Sequence, residues 1–369
     1  MTHSITLLIK PASGACDHRC RYCFYSDVVE HREAGFRGMM SRETLELVLR
    51  RAFETGARQI NLAWQGGEPT LAGLDFFEHM ALQVKALTPP GVMVTQALQT
   101  HGGLLDDNWC RFFKKEGFLI GLSLDGPKEY HDALRLDSHG RGTFQSVMRA
   151  ADLLARHRVD FNILTVVNGY NARHAAQLYR FFARSGFRYL QFIPCLEPLD
   201  APDPAPFSLT ASAYGRFLTE LYRLWEADWR AGRYVSIRHI DNAIRILAGY
   251  PSEECGTRGR CSLYTVVEAD GTAYPCDFYC LDRYALGNLA DFSIEALQHT
   301  PAAEAFLAPS LTLPEACQRC PYGFLCRGGC RRHRDIGGVL GGNRFCQGLK
   351  AYYEACLPSM SQIARTLRQ

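Results

Sequence analysis

Apolar and polar positions along the first two hundred residues alternate between short runs and longer helical stretches. "SITLLIK" (4–10) reads as a strand, and "SRETLELVLRRAFETG" (41–56) reads as a helix with Ser41 as N-cap and Gly56 at its end. Strand-like runs recur as "QINLAWQ", "VMVTQALQT", "FLIGLSLD", "FNILTVVN" and "YLQFIP". Helical segments near 74–87, 106–116, 143–157 and 171–185 separate them. Six strands alternating with helices predict an α/β fold of βα units with a parallel sheet, open or curled into a barrel. In such sheets the functional groups sit on the loops at the C-terminal strand ends.

The alternation breaks at the Pro-rich "EPLDAPDPAPFS" (197–208), and a long helix is expected at 210–231. Beyond about residue 235, Gly-rich turns and short strands take over, and "LYTVVEADGTAYPCD" reads as a β-hairpin turning at Asp270-Gly271. The expected division is 1–235 and 236–369. Ten of the fifteen cysteines lie between 255 and 356, so the second domain reads as small and stapled by metal.

The net charge of +3 is too balanced for nucleic acid or an anionic membrane to be the main partner. "MTHSITLLIKPASGAC" offers no signal peptide, and no run of 18 apolar residues marks a membrane span. A reducing, cytoplasmic setting follows as the expectation, in which cysteines are metal ligands before they are disulfides.

"GACDHRCRYCFYSDV" (14–28) lies directly after the first strand and carries Cys16, Cys20 and Cys23 in a C-x3-C-x2-C spacing. A structural zinc site wants four ligands, and a disulfide would strand one thiol. A four-iron, four-sulfur cluster held by three thiolates keeps one iron free for an outside ligand. With "WQGGEPT" after the second strand and "LSLDGP" after the fourth, the loop resembles the S-adenosylmethionine (SAM) radical enzymes. The resemblance implies that the free iron takes the methionine end of SAM. It implies that Tyr22 packs beside the adenine, that the Gly66-Gly67-Glu68 stretch meets the amino group, and that Ser123 meets the ribose.

Downstream, Cys261 and Cys276 stand in C-x9-G-x4-C, and Cys317 to Cys330 in C-x2-C-x5-C-x3-C, with Cys346 following. This resembles the SPASM domain of peptide-modifying SAM radical enzymes. The implied fold is a partial (β/α)6 TIM-type barrel followed by a domain holding two auxiliary clusters. The resemblance assigns Cys255, Cys261, Cys276 and Cys330 to the first, and Cys317, Cys320, Cys326 and Cys346 to the second. Cys110, Cys195, Cys280 and Cys356 remain, and each reads as a buried, inert thiol; Cys280, four residues after an assigned ligand, is the hardest to place. Zinc stays open as the alternative occupant of the array.

"YPCDFYCLDRYALGNL" (274–289), "WQGGEPTL", "SLDGPKEYHDALR" and "FIPCLEP" resemble the anaerobic sulfatase-maturating enzymes. These relatives convert a Cys or Ser in an unfolded sulfatase segment, C/S-x-P/A-x-R, to Cα-formylglycine. The implied cofactors are SAM and three [4Fe-4S] clusters; the implied partners are the sulfatase polypeptide and a flavodoxin- or ferredoxin-type electron donor. A 5′-deoxyadenosyl radical would take a Cβ hydrogen, the auxiliary clusters would accept an electron, and Asp277 would accept the thiol or hydroxyl proton. Arg135 and Leu196 join the implied SAM contacts, and Tyr25 and Gln65 the peptide contacts. One departure stands out: relatives commonly carry T-N-G after the third strand, where this chain has "QTHGG", so His101 becomes a candidate substrate donor. With few residues before the first strand, the leader-peptide-binding domain of many peptide-tailoring relatives is not expected. The other readings are a thioether or carbon–carbon crosslink maturase and, more distantly, a non-catalytic interaction protein.

Overall fold

The computed structural model describes residues 4–199, 204–336 and 339–367. In chain order the first elements are β1 (Ser4–Ile9), α1 (Phe24–Glu30), α2 (Arg42–Glu54), β2 (Gln59–Trp64), α3 (Leu74–Leu87), β3 (Met93–Thr100), α4 (Asp107–Glu116) and β4 (Phe118–Ser123). They continue with α5 (Lys128–Leu134), α6 (Phe144–Arg156), β5 (Asp160–Val167), α7 (Ala175–Arg184), β6 (Tyr189–Pro194), α8 (Ala211–Arg230), β7 (Ser236–Ile237) and α9 (Arg238–Leu247). Three short strands follow, β8 (Thr265–Val267), β9 (Thr272–Tyr274) and β10 (Gly287–Asn288). The six strands expected from the hydrophobic pattern are β1 to β6, and α2 starts behind Ser41, whose hydroxyl accepts the Thr44 amide.

The described residues fall into two compact units. The first takes those up to Ser123 together with Arg135–Phe161 and Leu263–Phe306; the second takes Leu124–Leu134, Asn162–Ser262 and the residues from Leu307 on.

In the first unit β1 pairs in parallel with β2, β2 with β3, and β3 with β4. β2 buries Ile60, Leu62 and Trp64 on one face, the alternation a strand requires. β1 is buried on both faces, with Leu7 and Ile9 wholly covered, as parallel strands under helices are. Trp64 meets Phe77 of α3 edge-on at 5.2 Å, and Phe77 meets Trp109 of α4 at 5.5 Å. Each such ring contributes about 1.5–3 kcal/mol by leaving water. Asp106 caps α4 by accepting the Trp109 amide at 2.9 Å, and Gly117 ends it in the left-handed region that glycine tolerates.

The hairpin expected around Asp270-Gly271 is β8–β9, antiparallel, with Gly271 at φ +84°. It adds to the first unit's sheet: β8 lies parallel to β1, with Leu7 opposite Thr265 and Ile9 opposite Val267. In the second unit β5, β6 and β7 run parallel. Its helices bury Phe217, Tyr222 and Trp225 of α8. No helix among the described residues is long and apolar enough to cross a membrane.

Candidate active site

The loop from Lys10 to Cys23 leaves the C-terminal end of β1, and the chain returns from it into α1 with Cys23 at the N-cap position. Cys16, Cys20 and Cys23 are half-buried and unbridged. The turn after β2 grips this loop through its backbone. The Gly67 amide donates to the Ser13 carbonyl at 3.0 Å, and the Glu68 amide to Ala15 at 2.8 Å. A Cβ on Gly67 would sit 1.9 Å from the Ala15 carbonyl oxygen, so only glycine lets these backbones approach. Gly66 stands at φ +119°. Gly67→Ala is therefore expected to push the turn off the first cysteine loop, an overpacking penalty of about 1–3 kcal/mol read as a loss of thermal stability.

Glu68 is fully buried, and its carboxylate is taken up inside the protein. It accepts from the Thr70 amide and hydroxyl, the Thr100 hydroxyl at 2.8 Å and the His101 amide at 3.0 Å. His101 lies just past β3, buried. Its Nε2 donates to Asp17 Oδ1 at 2.7 Å, its Nδ1 accepts the Gly103 amide at 2.9 Å, and its ring stacks on His18 at 3.6 Å. The bond from His101 holds the Asp17 carboxyl down at about 2. Both ring nitrogens of His101 are thus engaged with the chain itself. Cys16, Asp17 and His101 place ligand atoms within 4.8 Å of one another.

Ser123 is buried at the end of β4. Arg135, also buried, holds its guanidinium 5.5 Å from the Tyr22 ring, a cation–π stack. Leu196 lies in the second unit, half-buried, two residues beyond β6.

Asp277 opens a short 3₁₀ turn (Asp277–Tyr279) directly after Cys276. Tyr25, two residues past Cys23, donates its hydroxyl to Asp277 Oδ2 at 2.7 Å and lies 3.2 Å from Gln65 Oε1. Burial first, and then the Asp277 carboxylate, raise the Tyr25 pKa, so the phenol keeps its proton. Lys10 stands 3.0 Å from Asp277 Oδ1, 3.2 Å from Cys280 Sγ and 3.6 Å from Glu268 Oε1. Arg32 pairs with Glu268 at 2.8 Å. Burial works against the charge on Lys10, but Cys280, Asp277 and Glu268 outweigh it and raise its pKa. Asp277, Tyr25 and Gln65 are brought together as one group. Lys10, Arg32, Glu268 and Asp17 were not foreseen; nothing in their local sequence marks them, and a Lys closing a strand reads as a solvent-facing residue.

A scan against family models matches residues 11–182 to the radical SAM superfamily and residues 255–321 to an iron-sulfur cluster-binding domain, SPASM. A cysteine-type anaerobic sulfatase-maturating enzyme of Clostridium novyi is 41% identical over 99% of this chain and 98% of its own length. The chain belongs to the anaerobic sulfatase-maturating enzymes. A serine-type member of the family, from Klebsiella aerogenes, is 36% identical over 98% of this chain and 87% of its own length. The solved structure of native anSMEcpe with bound AdoMet and Cp18Cys peptide superposes with a TM-score of 0.94 at 39% identity, covering 99% of both chains. The fold is accordingly the radical SAM fold with its SPASM extension.

The donor set of this family member fits iron–sulfur clusters. In the second unit Cys346 and Cys320 lie close enough to Cys317 and Cys326 to help raise their pKa, and Cys255 and Cys261 do the same to Cys330. Burial, followed by local effects, pushes Cys326 and Cys330 each up to about 11. Cys276 belongs to the first unit. All eleven cysteines that the resemblance assigns to clusters are half-buried, whereas Cys110, Cys195, Cys280 and Cys356 are buried. Soft thiols left partly open to a ligand are what a cluster needs, and fully covered thiols are what a core holds.

Proposed function

We propose that this chain performs the SAM-radical oxidation of a Cys or Ser side chain in a sulfatase C/S-x-P/A-x-R segment to Cα-formylglycine. The observation that carries the reading is the Tyr25–Asp277 bond of 2.7 Å, which joins a residue just past the first cysteine loop to one just past Cys276. SAM and the three clusters, when bound, supply a carbon radical that takes one Cβ hydrogen and a sink for the one electron then left on the substrate. Cys16, Cys20 and Cys23 hold the first cluster. Cys255, Cys261, Cys276 and Cys330 hold the second, and Cys317, Cys320, Cys326 and Cys346 the third. The Gly66–Glu68 turn, Tyr22, Ser123, Arg135 and Leu196 form the SAM site, with Arg135 supplying a charge-assisted bond to the methionine carboxylate.

Asp277 accepts the remaining proton, from the substrate sulfur or oxygen. One hydrogen atom, one proton and one electron have then left, giving a thioaldehyde or aldehyde. Water displaces sulfide from the thioaldehyde to yield formylglycine. Tyr25 and Gln65 line the path of the extended peptide. The barrel domain spans 1–235 and the auxiliary-cluster domain 236–369 in this reading. A flavodoxin- or ferredoxin-type protein delivers the electron that starts each turnover, and the thiol-rich chain suits the cytoplasm.

Anaerobic incubation with paired Cys- and Ser-containing sulfatase peptides, SAM and dithionite tests the proposal by mass spectrometry. Loss of hydrogen sulfide with gain of oxygen in the Cys peptide, or loss of two hydrogens as an aldehyde in the Ser peptide, is the expected result. A crosslinked product with no aldehyde would overturn it.

A further inference from the structure

We propose that Lys10, seated by Cys280 and Glu268, is the positioning residue that fixes the Asp277 carboxylate for proton acceptance; the inference rests on the reading of Asp277 as that acceptor. An ammonium carries three hydrogens and no acceptor. Around Lys10 Nζ stand three partners: Asp277 Oδ1 at 3.0 Å, Cys280 Sγ at 3.2 Å and Glu268 Oε1 at 3.6 Å. The Tyr25 ring lies against it at 4.8 Å. The lysine side chain is 2% exposed, so no water competes for its hydrogens.

The two oxygens of Asp277 are held from the two ends of the first cysteine loop. Lys10 precedes Cys16 by six residues and faces Oδ1; Tyr25 follows Cys23 by two and bonds Oδ2. Oδ1 faces Lys10 as an ion pair, and among the described residues it accepts no directed hydrogen bond. Oδ1 is itself buried while the Asp277 side chain keeps 15% of its surface exposed, so an incoming S–H or O–H approaches from the side of Oδ2, which the tyrosine orients. Fixing the plane of a base is the geometric condition for efficient proton transfer.

Cys280 gains a role here. It is fully buried, unlike the half-buried thiols assigned to clusters, and its Sγ lies 3.6 Å from the Cys276 carbonyl as donor while accepting from Lys10. A neutral acceptor suits this place. Lys10 and Arg32 already balance Asp277 and Glu268, and a third carboxylate would leave buried charge uncompensated. Arg32 completes the seat by bonding both Glu268 and the Cys280 carbonyl.

The test compares Lys10→Met, Cys280→Val, Cys280→Ser and Asp277→Asn in the reconstituted full-length enzyme with a Cys-containing sulfatase peptide. The readouts are formylglycine formed per 5′-deoxyadenosine released, peptide KM, and iron per chain. Lys10→Met is expected to lower the ratio about tenfold or more through kcat, with KM and iron content near those of the unmodified enzyme. Cys280→Val lowers the ratio about threefold without loss of iron, and Cys280→Ser, which restores an acceptor, stays within about twofold of the unmodified enzyme. A low ratio in Asp277→Asn with an unchanged ratio in Lys10→Met overturns the inference alone. An unchanged ratio in Asp277→Asn overturns the acceptor reading and the inference with it. Should Lys10→Met fail to assemble, an unchanged ratio in Cys280→Val overturns the inference. Iron lost from Cys280→Val overturns it too, by making Cys280 a ligand.

Discussion

Asp277→Asn will keep cleaving SAM but lose most formylglycine, about 100- to 10,000-fold in rate, the span typical of a missing general base. The substitution keeps the side chain's shape, and its carbonyl oxygen can still accept the Tyr25 hydroxyl that now bonds Oδ2 at 2.7 Å. An amide cannot take a proton from a thiol, so the substrate radical has no route to the thioaldehyde and takes a hydrogen back or is quenched. Loss of the carboxylate also leaves Lys10 and Arg32 facing Glu268 alone, which adds a stability cost distinct from the chemistry. Anaerobic time courses that follow 5′-deoxyadenosine by chromatography and formylglycine by mass spectrometry separate the two. Product at the unmodified rate would end the assignment of Asp277 as the acceptor.

Alanine at Cys16, Cys20 and Cys23 together will remove about four irons per chain and all SAM cleavage. The three thiols sit on a single loop tied to the β2 turn through Ser13 and Ala15, and that loop offers no other thiol. The auxiliary cysteines are untouched, and about eight irons should remain, with an absorption shoulder near that of all-thiolate clusters. Alanine at Cys110 or Cys356 makes the control: both are buried, and both variants should keep their full iron at some loss of thermal stability. Deoxyadenosine released by the triple variant at the native rate would sink the cluster assignment.

The elements that carry these residues were legible because their signals are local. β1 to β6, the cap at Ser41 and the turn at Asp270-Gly271 each follow from a handful of adjacent residues. The cysteine spacings are local too, and through the resemblance they carry they supply the proposed ligand set. Spacing could not decide Cys280, since four residues from Cys276 is an acceptable ligand interval; burial separates it from the half-buried set. His101 looked like a substrate donor because a strand end on the functional face is where such donors sit. The structure engages both its nitrogens, with Asp17 and with the Gly103 amide. Lys10, Arg32 and Glu268 were invisible for a related reason. Their partners lie more than two hundred residues away in the chain, as Lys10 and Asp277 do, and no periodicity encodes such a meeting.

The parallel pairing of β1 with β8 sets an order of events at the ribosome. Ile9 lies opposite Val267, so one edge of the first strand waits, without its final neighbour, while some 250 further residues are made. An open edge of that kind invites pairing with other chains. That edge closes only once residues 265–267 have been made, so chains that stop short of them keep it unpaired.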